Sequence, residues 1–182
     1  MEVDELYQNA GEKGRRHPDP DDPPRRRANK FNGHGTFEND RPPVFGALGR
    51  ETSDALVRQA YRSTRKALEP LVIQASRPDA TIMSDEWHAY DRLPTTGRAH
   101  ATVNHRHNEY ARDDDGDGVR EVHSNSIEGF WLGLRNFLRM FRGVSKWWLD
   151  GYVFFYARLQ KFQWAHLDFV AGLLGRFSPN GP

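Results

Sequence analysis

Nothing constrains the fold of this chain more than the stretch from Val119 to Phe141, VREVHSNSIEGFWLGLRNFLRMF. Ile127, Phe130, Trp131, Leu134, Phe137, Leu138 and Phe141 recur at helical spacing, so the segment reads as a polar turn feeding an amphipathic helix whose apolar face belongs to the core. Asn125 stands where an N-cap is expected and Glu128 follows at capping-box spacing, which accounts for both residues without any chemistry. Glu128 lies just off the apolar face, and Arg135, Arg139 and Arg142 follow along the same flank. One carboxylate and three guanidinium groups on one flank invite a phosphate-handling reading.

Two further stretches supply acids on other elements. In ATIMSDEWHAY, residues 80–90, the run from Thr81 to Met83 has β character and stops at Ser84-Asp85, with Glu86 to Leu93 expected as a short helix. Asp85 therefore falls at the carboxyl end of a strand, where α/β sheets keep their active sites. At the start of the chain, Met1 to Tyr7 alternates as a strand does and carries Asp4 in its middle.

Taken in order, EVDE at 2–5, SDEWHAY at 84–90, NHRHNEY at 104–110 and HSNSIEGFW at 123–131 resemble the DDE-type insertion-sequence transposases, in particular the ISXO group with its RNase H-like catalytic domain. The resemblance covers nearly the whole chain. It implies an α/β fold, an RNase H-like mixed sheet flanked by helices with a long polar insertion after the first strand. It also implies Asp4, Asp85 and Glu128 as the catalytic acids, with His123 and Asn125 supporting them or touching substrate. Clustered carboxylates repel one another unless a cation lies between them, and their hard oxygens suit two magnesium or manganese ions. The activity implied is metal-dependent cleavage of DNA ends followed by strand transfer, carried out by a homodimer or larger assembly on DNA. Arg25, Arg26, Arg27 and Lys30, together with Arg135, Arg139 and Lys146, are the expected phosphate contacts. Members of the group usually carry an upstream recognition region, whereas here only three residues precede Asp4. A truncated, non-catalytic DNA-binding remnant is therefore a competing expectation, and a host nuclease of the same fold is a third.

The rest of the sequence fits one domain over residues 1–165 and a tail over 166–182. No apolar run approaches the ~20 residues that span a bilayer and no secretory signal is visible, so a cytoplasmic protein is expected. Cysteine is absent, which excludes disulfides and thiolate zinc sites. The net charge of +1 says little about partners, but its distribution says more: beyond Gly129, seven lysines and arginines face only Asp150 and Asp168. Residues 9–43 are dense in proline, glycine and charge and read as the insertion, a solvated loop with Arg25 to Lys30 as its basic part. Strands are expected at 44–50, 55–59 and 101–104, and a helix at 64–76 that buries Ala67, Leu68, Leu71 and Val72. His100, His105, His107 and His123 read better as loop histidines than as a zinc site, and Asp113 to Gly118 as a flexible acidic turn. A last helix from Ser145, as N-cap, to about Trp164 is expected to bury Trp148, Tyr152, Phe155, Tyr156, Leu159 and Phe162.

Overall fold

Short β-prone segments separated by turns meet in one central sheet in the computed structural model, which describes residues 1–14, 21, 33–104, 107, 109 and 111–161. Strands β1 (Glu2–Tyr7), β2 (Pro43–Leu48) and β3 (Ala55–Gln59) are antiparallel neighbours. On the other side of β1, strands β4 (Thr81–Ser84) and β5 (Ala99–Thr102) continue in parallel, giving the order β3-β2-β1-β4-β5. A mixed five-stranded sheet with β1 at its centre is consistent with the expected RNase H-like fold. A separate two-stranded ladder joins β6 (Ala111–Arg112) to β7 (Val122–His123).

Both faces of the sheet are covered. Helix α1 (Arg65–Ala75) buries Leu68 and Val72 against Val3, Phe45, Ile82, Tyr90 and Leu93. Helix α2 (Asn125–Arg139) lays Ile127, Trp131, Leu134 and Leu138 on the opposite face, against Leu6, Val44 and Val57. Because successive β1 side chains alternate, Glu2, Asp4 and Leu6 belong to the α2 face, and Val3, Glu5 and Tyr7 to the α1 face.

The last helix, α3, is described over residues 149–161. It starts four residues later than Ser145, because Ser145 forms a parallel bridge with Gly11 and the Lys146 N–H donates to the Gly11 carbonyl at 2.9 Å. The later start turns a different face inward. Leu149, Val153 and Tyr156 are buried, whereas Trp148 is 69% exposed and Phe155 55%.

The helix expected over 86–93 is replaced by two short 3-10 turns, His88–Tyr90 and Leu93–Thr96. The Asp85 carboxylate accepts the Trp87 N–H at 3.1 Å, an Asx-type turn that competes with helix, and Pro94 lacks the amide a longer helix needs. The segment 9–43 is described at its two ends, and these are not solvated loop. Ala10 and Phe37 are buried, and the Ala10 N–H donates to the Asp40 carbonyl at 3.0 Å. The tail from 166 lies outside the described residues. Among the described residues, no helix is long and apolar enough to cross a membrane.

Candidate active site

The register of the sheet sets two of the expected acids side by side. Glu2 pairs with Met83 in the parallel β1–β4 ladder, and two residues further along each chain come Asp4 and Asp85. Helix α2 brings the third, since Glu128 stands in its exposed first turn. Trp131, one turn below Glu128, reaches down to the sheet, and its indole N–H donates to Asp4 Oδ2 at 2.8 Å. Gly46 permits this close approach. It lies opposite Asp4 on β2, and a Cβ there would meet Trp131 Cζ2 at 2.6 Å and Ile127 Cδ1 at 3.1 Å.

The electrostatics record how these acids face one another. Burial pushes the Asp4 carboxyl up to about 7, the Asp85 charge pushes the same way, and Glu128 adds a smaller push. Hydrogen bonds from the Glu5 N–H and the Trp131 indole pull against them. The donor set is oxygen only and hard, and Asp4 is under like-charge pressure that a divalent cation would relieve, so these residues fit magnesium or manganese. A different acidic group lies on the surface: Asp113, Asp115 and Asp117 bring ligand oxygens within 4.8 Å of one another, a spacing that Asp4, Asp85 and Glu128 do not reach together. That group satisfies its own turn, since the N–H groups of Gly116 and Gly118 donate to Asp113, Asp117 to Asp115, and Val119 to Asp117.

What holds α2 over Asp4 is a residue the sequence left unmarked. Asn125 is the first helical residue and not the N-cap; the cap is Ser124, which makes no side-chain capping bond, so the expected capping box does not form. Its place is taken by Glu2, fully buried on β1, whose Oε2 accepts the Ile127 N–H at 2.9 Å. Arg50 donates Nε to Glu2 Oε1 at 2.6 Å, and its two terminal nitrogens donate to the carbonyls of Glu121 and His123. His123 Nδ1 lies 3.3 Å from the same Glu2 oxygen. Strand β1 thus carries both Asp4 and the anchor of the helix that bears Glu128. The signal was present, for Glu2 is a charged residue two positions before Asp4 and therefore on the same core-facing side.

On the other face, Glu5 is half-buried and accepts the Tyr90 hydroxyl. Burial pushes Glu5 up to about 8 and pushes the Tyr90 phenol well above its usual range. Tyr90 thereby ties the turn after Asp85 to β1, and the Trp87 indole ties it to the Ser63 carbonyl at 2.8 Å.

The expected phosphate contacts divide into three groups. Arg135 and Arg139 are exposed on α2. Arg25, Arg26, Arg27 and Lys30 lie outside the described residues, as does His105. Lys146 is a correction: it is 2% exposed, with its ammonium 2.7 Å from Asp40 Oδ1, 3.0 Å from the Phe37 carbonyl and over the Phe37 ring. A buried lysine so engaged is no phosphate contact; it pins the Phe37–Asp40 turn to the start of α3. His100 faces Ser84, whose Oγ is 2.9 Å from its Nε2.

Comparison with known proteins shows the family of the chain. Residues 1–163 match the family model of the ISXO2-like transposase domain. A protein of Halobacterium salinarum described as an uncharacterized protein in transposable element ISH50 is 33% identical over 147 residues, which make up 80% of this chain and 47% of the relative. The chain therefore spans about half the length of that curated relative.

Proposed function

This chain belongs to the ISXO2-like transposase family, and on that premise we propose that it is the catalytic part of a DNA transposase that cuts element ends and joins them to target DNA. Asp4, Asp85 and Glu128 are the cation ligands and His123 and Asn125 support them, while Arg135 and Arg139 hold backbone phosphates. The observation that carries the reading is the state of Asp4, a half-buried carboxylate pressed by two acidic neighbours and compensated only by the Glu5 N–H and the Trp131 indole. Evolution of a mere scaffold has no use for such a cluster, since each like charge costs stability.

Magnesium or manganese held by these oxygens would polarise the phosphoryl group and stabilise the oxygens entering and leaving phosphorus. In the first step a water oxygen bonds to phosphorus at the element end, the P–O3′ bond breaks, and the 3′ oxygen leaves with a proton as a hydroxyl. In the second step that hydroxyl bonds to a phosphorus of target DNA and displaces its 3′ oxygen in turn. The chain's own part is to fix the geometry: Glu2 and Arg50 hold the start of α2, and Trp131 orients Asp4. The relative's description as part of a transposable element favours transposition over a host nuclease. The like-charge pressure of Asp85 and Glu128 on Asp4 supports the catalytic reading over a non-catalytic remnant.

The test is cleavage and strand transfer on duplex DNA carrying the flanking element end, with magnesium or manganese. Products from the wild type that vanish in Asp85→Asn and Glu128→Gln, both shown to be folded, are expected. Equal products from Asp85→Asn would refute the assignment.

A further inference from the structure

Between the end of β1 and the last turns of α2 lies an open cleft of ~480 Å³, and the residues Tyr7, Gln8, Asn9, Arg41, Arg135 and Arg139 line most of it. Three guanidinium groups converge there from two separate parts of the chain, and no carboxylate is among the described residues that line it. Arg41 is fixed in place: its Nε donates to the Gly33 carbonyl at 2.7 Å and one terminal nitrogen donates to Asn9 Oδ1. The other terminal nitrogen has no hydrogen-bond partner among the described residues.

Two ordinary explanations fall short. Cations gather at helix C-termini because of the exposed carbonyls, and that suits Arg139 in the last turn of α2. The turn just past the helix end already has a cation, however, in Lys13, whose ammonium donates to the carbonyls of Phe141 at 2.6 Å and Gly143 at 2.8 Å, and helix-end attraction accounts at most for Arg139. It does not explain Arg41, which is not on the helix at all. Solvated surface arginines, for their part, spread apart, whereas Arg41 is held below its usual range by burial and then by the charge of Arg135. Like charges held together without a counter-charge form a receptor for an anion, and forked guanidinium groups match phosphate oxygens.

We propose that this cleft seats a backbone phosphate of the DNA strand being processed, gripped by Arg41 and Arg135 from two sides with Arg139 at the rim. The proposal rests on the transposase reading and adds to it a residue, Arg41, and a position. Arg135 stands seven residues beyond Glu128 on α2, a rise of ~10 Å. The grip fixes the register of the strand, which clustered acids alone cannot do.

The experiment is binding of the full chain to a duplex carrying the element end, without divalent cation and across a salt series, for wild type, Arg41→Gln, Arg135→Gln and Arg77→Gln. Arg77 serves as the control because its exposed pair with Asp79 lies in the turn between α1 and β4 and does not line the cleft. Loss of a phosphate contact is expected to weaken binding ~10-fold and to lower the slope of log K against log salt by ~1 in Arg41→Gln and Arg135→Gln, with Arg77→Gln unchanged. Arg135 is exposed, so its variant separates lost binding from lost folding should Arg41→Gln unfold. Wild-type affinity and slope in Arg135→Gln would overturn the cleft, and with it the Arg135 phosphate contact, while leaving the assignment of Asp4, Asp85 and Glu128 intact. Arginine-dependent binding by a wild type that yields no cleavage would leave the cleft standing and count against the catalytic reading. A wild type that does not bind DNA overturns both.

Discussion

Glu2 and Asp4 sit two residues apart on one strand and face the same helix, yet their surroundings are opposite. Glu2 is met by the Arg50 guanidinium, the Ile127 amide and the His123 ring, so each oxygen has a partner. Asp4 is met by the neighbouring Glu5 N–H, by one indole, and by the charges of Asp85 and Glu128. A buried carboxylate with cationic and amide partners is a structural element; one left among other carboxylates is where the proposed reading puts a cation. The contrast teaches how one strand can serve both fold and chemistry: the first acid fixes the helix, and the helix then delivers Glu128 to the second.

The contrast is broken most severely at the chemistry itself. Asp4→Asn, Asp85→Asn or Glu128→Gln is expected to lower cleavage by at least ~10³-fold, several kcal/mol of transition-state stabilisation, with the far-UV circular dichroism unchanged. An effect of less than tenfold at all three would erase the distinction between the two acids.

Stability separates them next, and with opposite signs. The Asp4 carboxyl is raised to about 7 in the fold against ~3.9 in an unfolded chain. The folded state therefore holds its proton more tightly, and ionisation costs stability that is intact below pH ~4 and lost as pH rises to 7. Asp4→Asn removes that cost, so without divalent cation at pH 8 it is expected to be more stable than wild type, by at most ~4 kcal/mol, and equal at pH 4. Urea unfolding at the two pH values checks it. Glu2→Gln goes the other way, at a cost of ~3 kcal/mol, because it leaves the Arg50 charge without its partner. For a chain of this size that lowers the melting temperature by about 6–12 °C.

The smallest effect sharpens the comparison through packing. Gly46→Ala forces Trp131 and Ile127 away from the sheet, which is expected to cost ~1–3 kcal/mol and to loosen the indole bond to Asp4. A wild-type melting curve together with unchanged tryptophan fluorescence would show that the close approach is not needed.

Much of this arrangement was legible in the sequence. Period-two and period-3.6 patterns located β1, β2, β3, β4, α1 and α2 to within a few residues, and the residues of the four motifs led to the three acids. What the sequence concealed were long-range pairings. Glu2 finds Arg50 and Ile127 at separations of 48 and 125 residues, and Lys146 finds Asp40 across 106. A count of charges treats each of these charged side chains as solvated, and only the fold reveals that Glu2, Asp40 and Lys146 are buried and Arg50 half-buried. The same blindness placed the start of α3 at Ser145, whose backbone is drawn instead into a bridge with Gly11. The helix expected after Asp85 failed for a local reason that propensity underrates, a carboxylate that accepts the amide two residues on.

The central claim is that Asp4, Asp85 and Glu128 form one cation-dependent site, and manganese binding by the full chain tests it most directly. Titration followed by electron paramagnetic resonance at pH 7.5 would compare wild type, Asp85→Asn and Asp113→Asn, the last removing the surface acidic turn as a competing site. The account predicts that manganese binding and the accompanying rise in melting temperature survive Asp113→Asn and disappear in Asp85→Asn. Binding that survives Asp85→Asn and disappears in Asp113→Asn would contradict it.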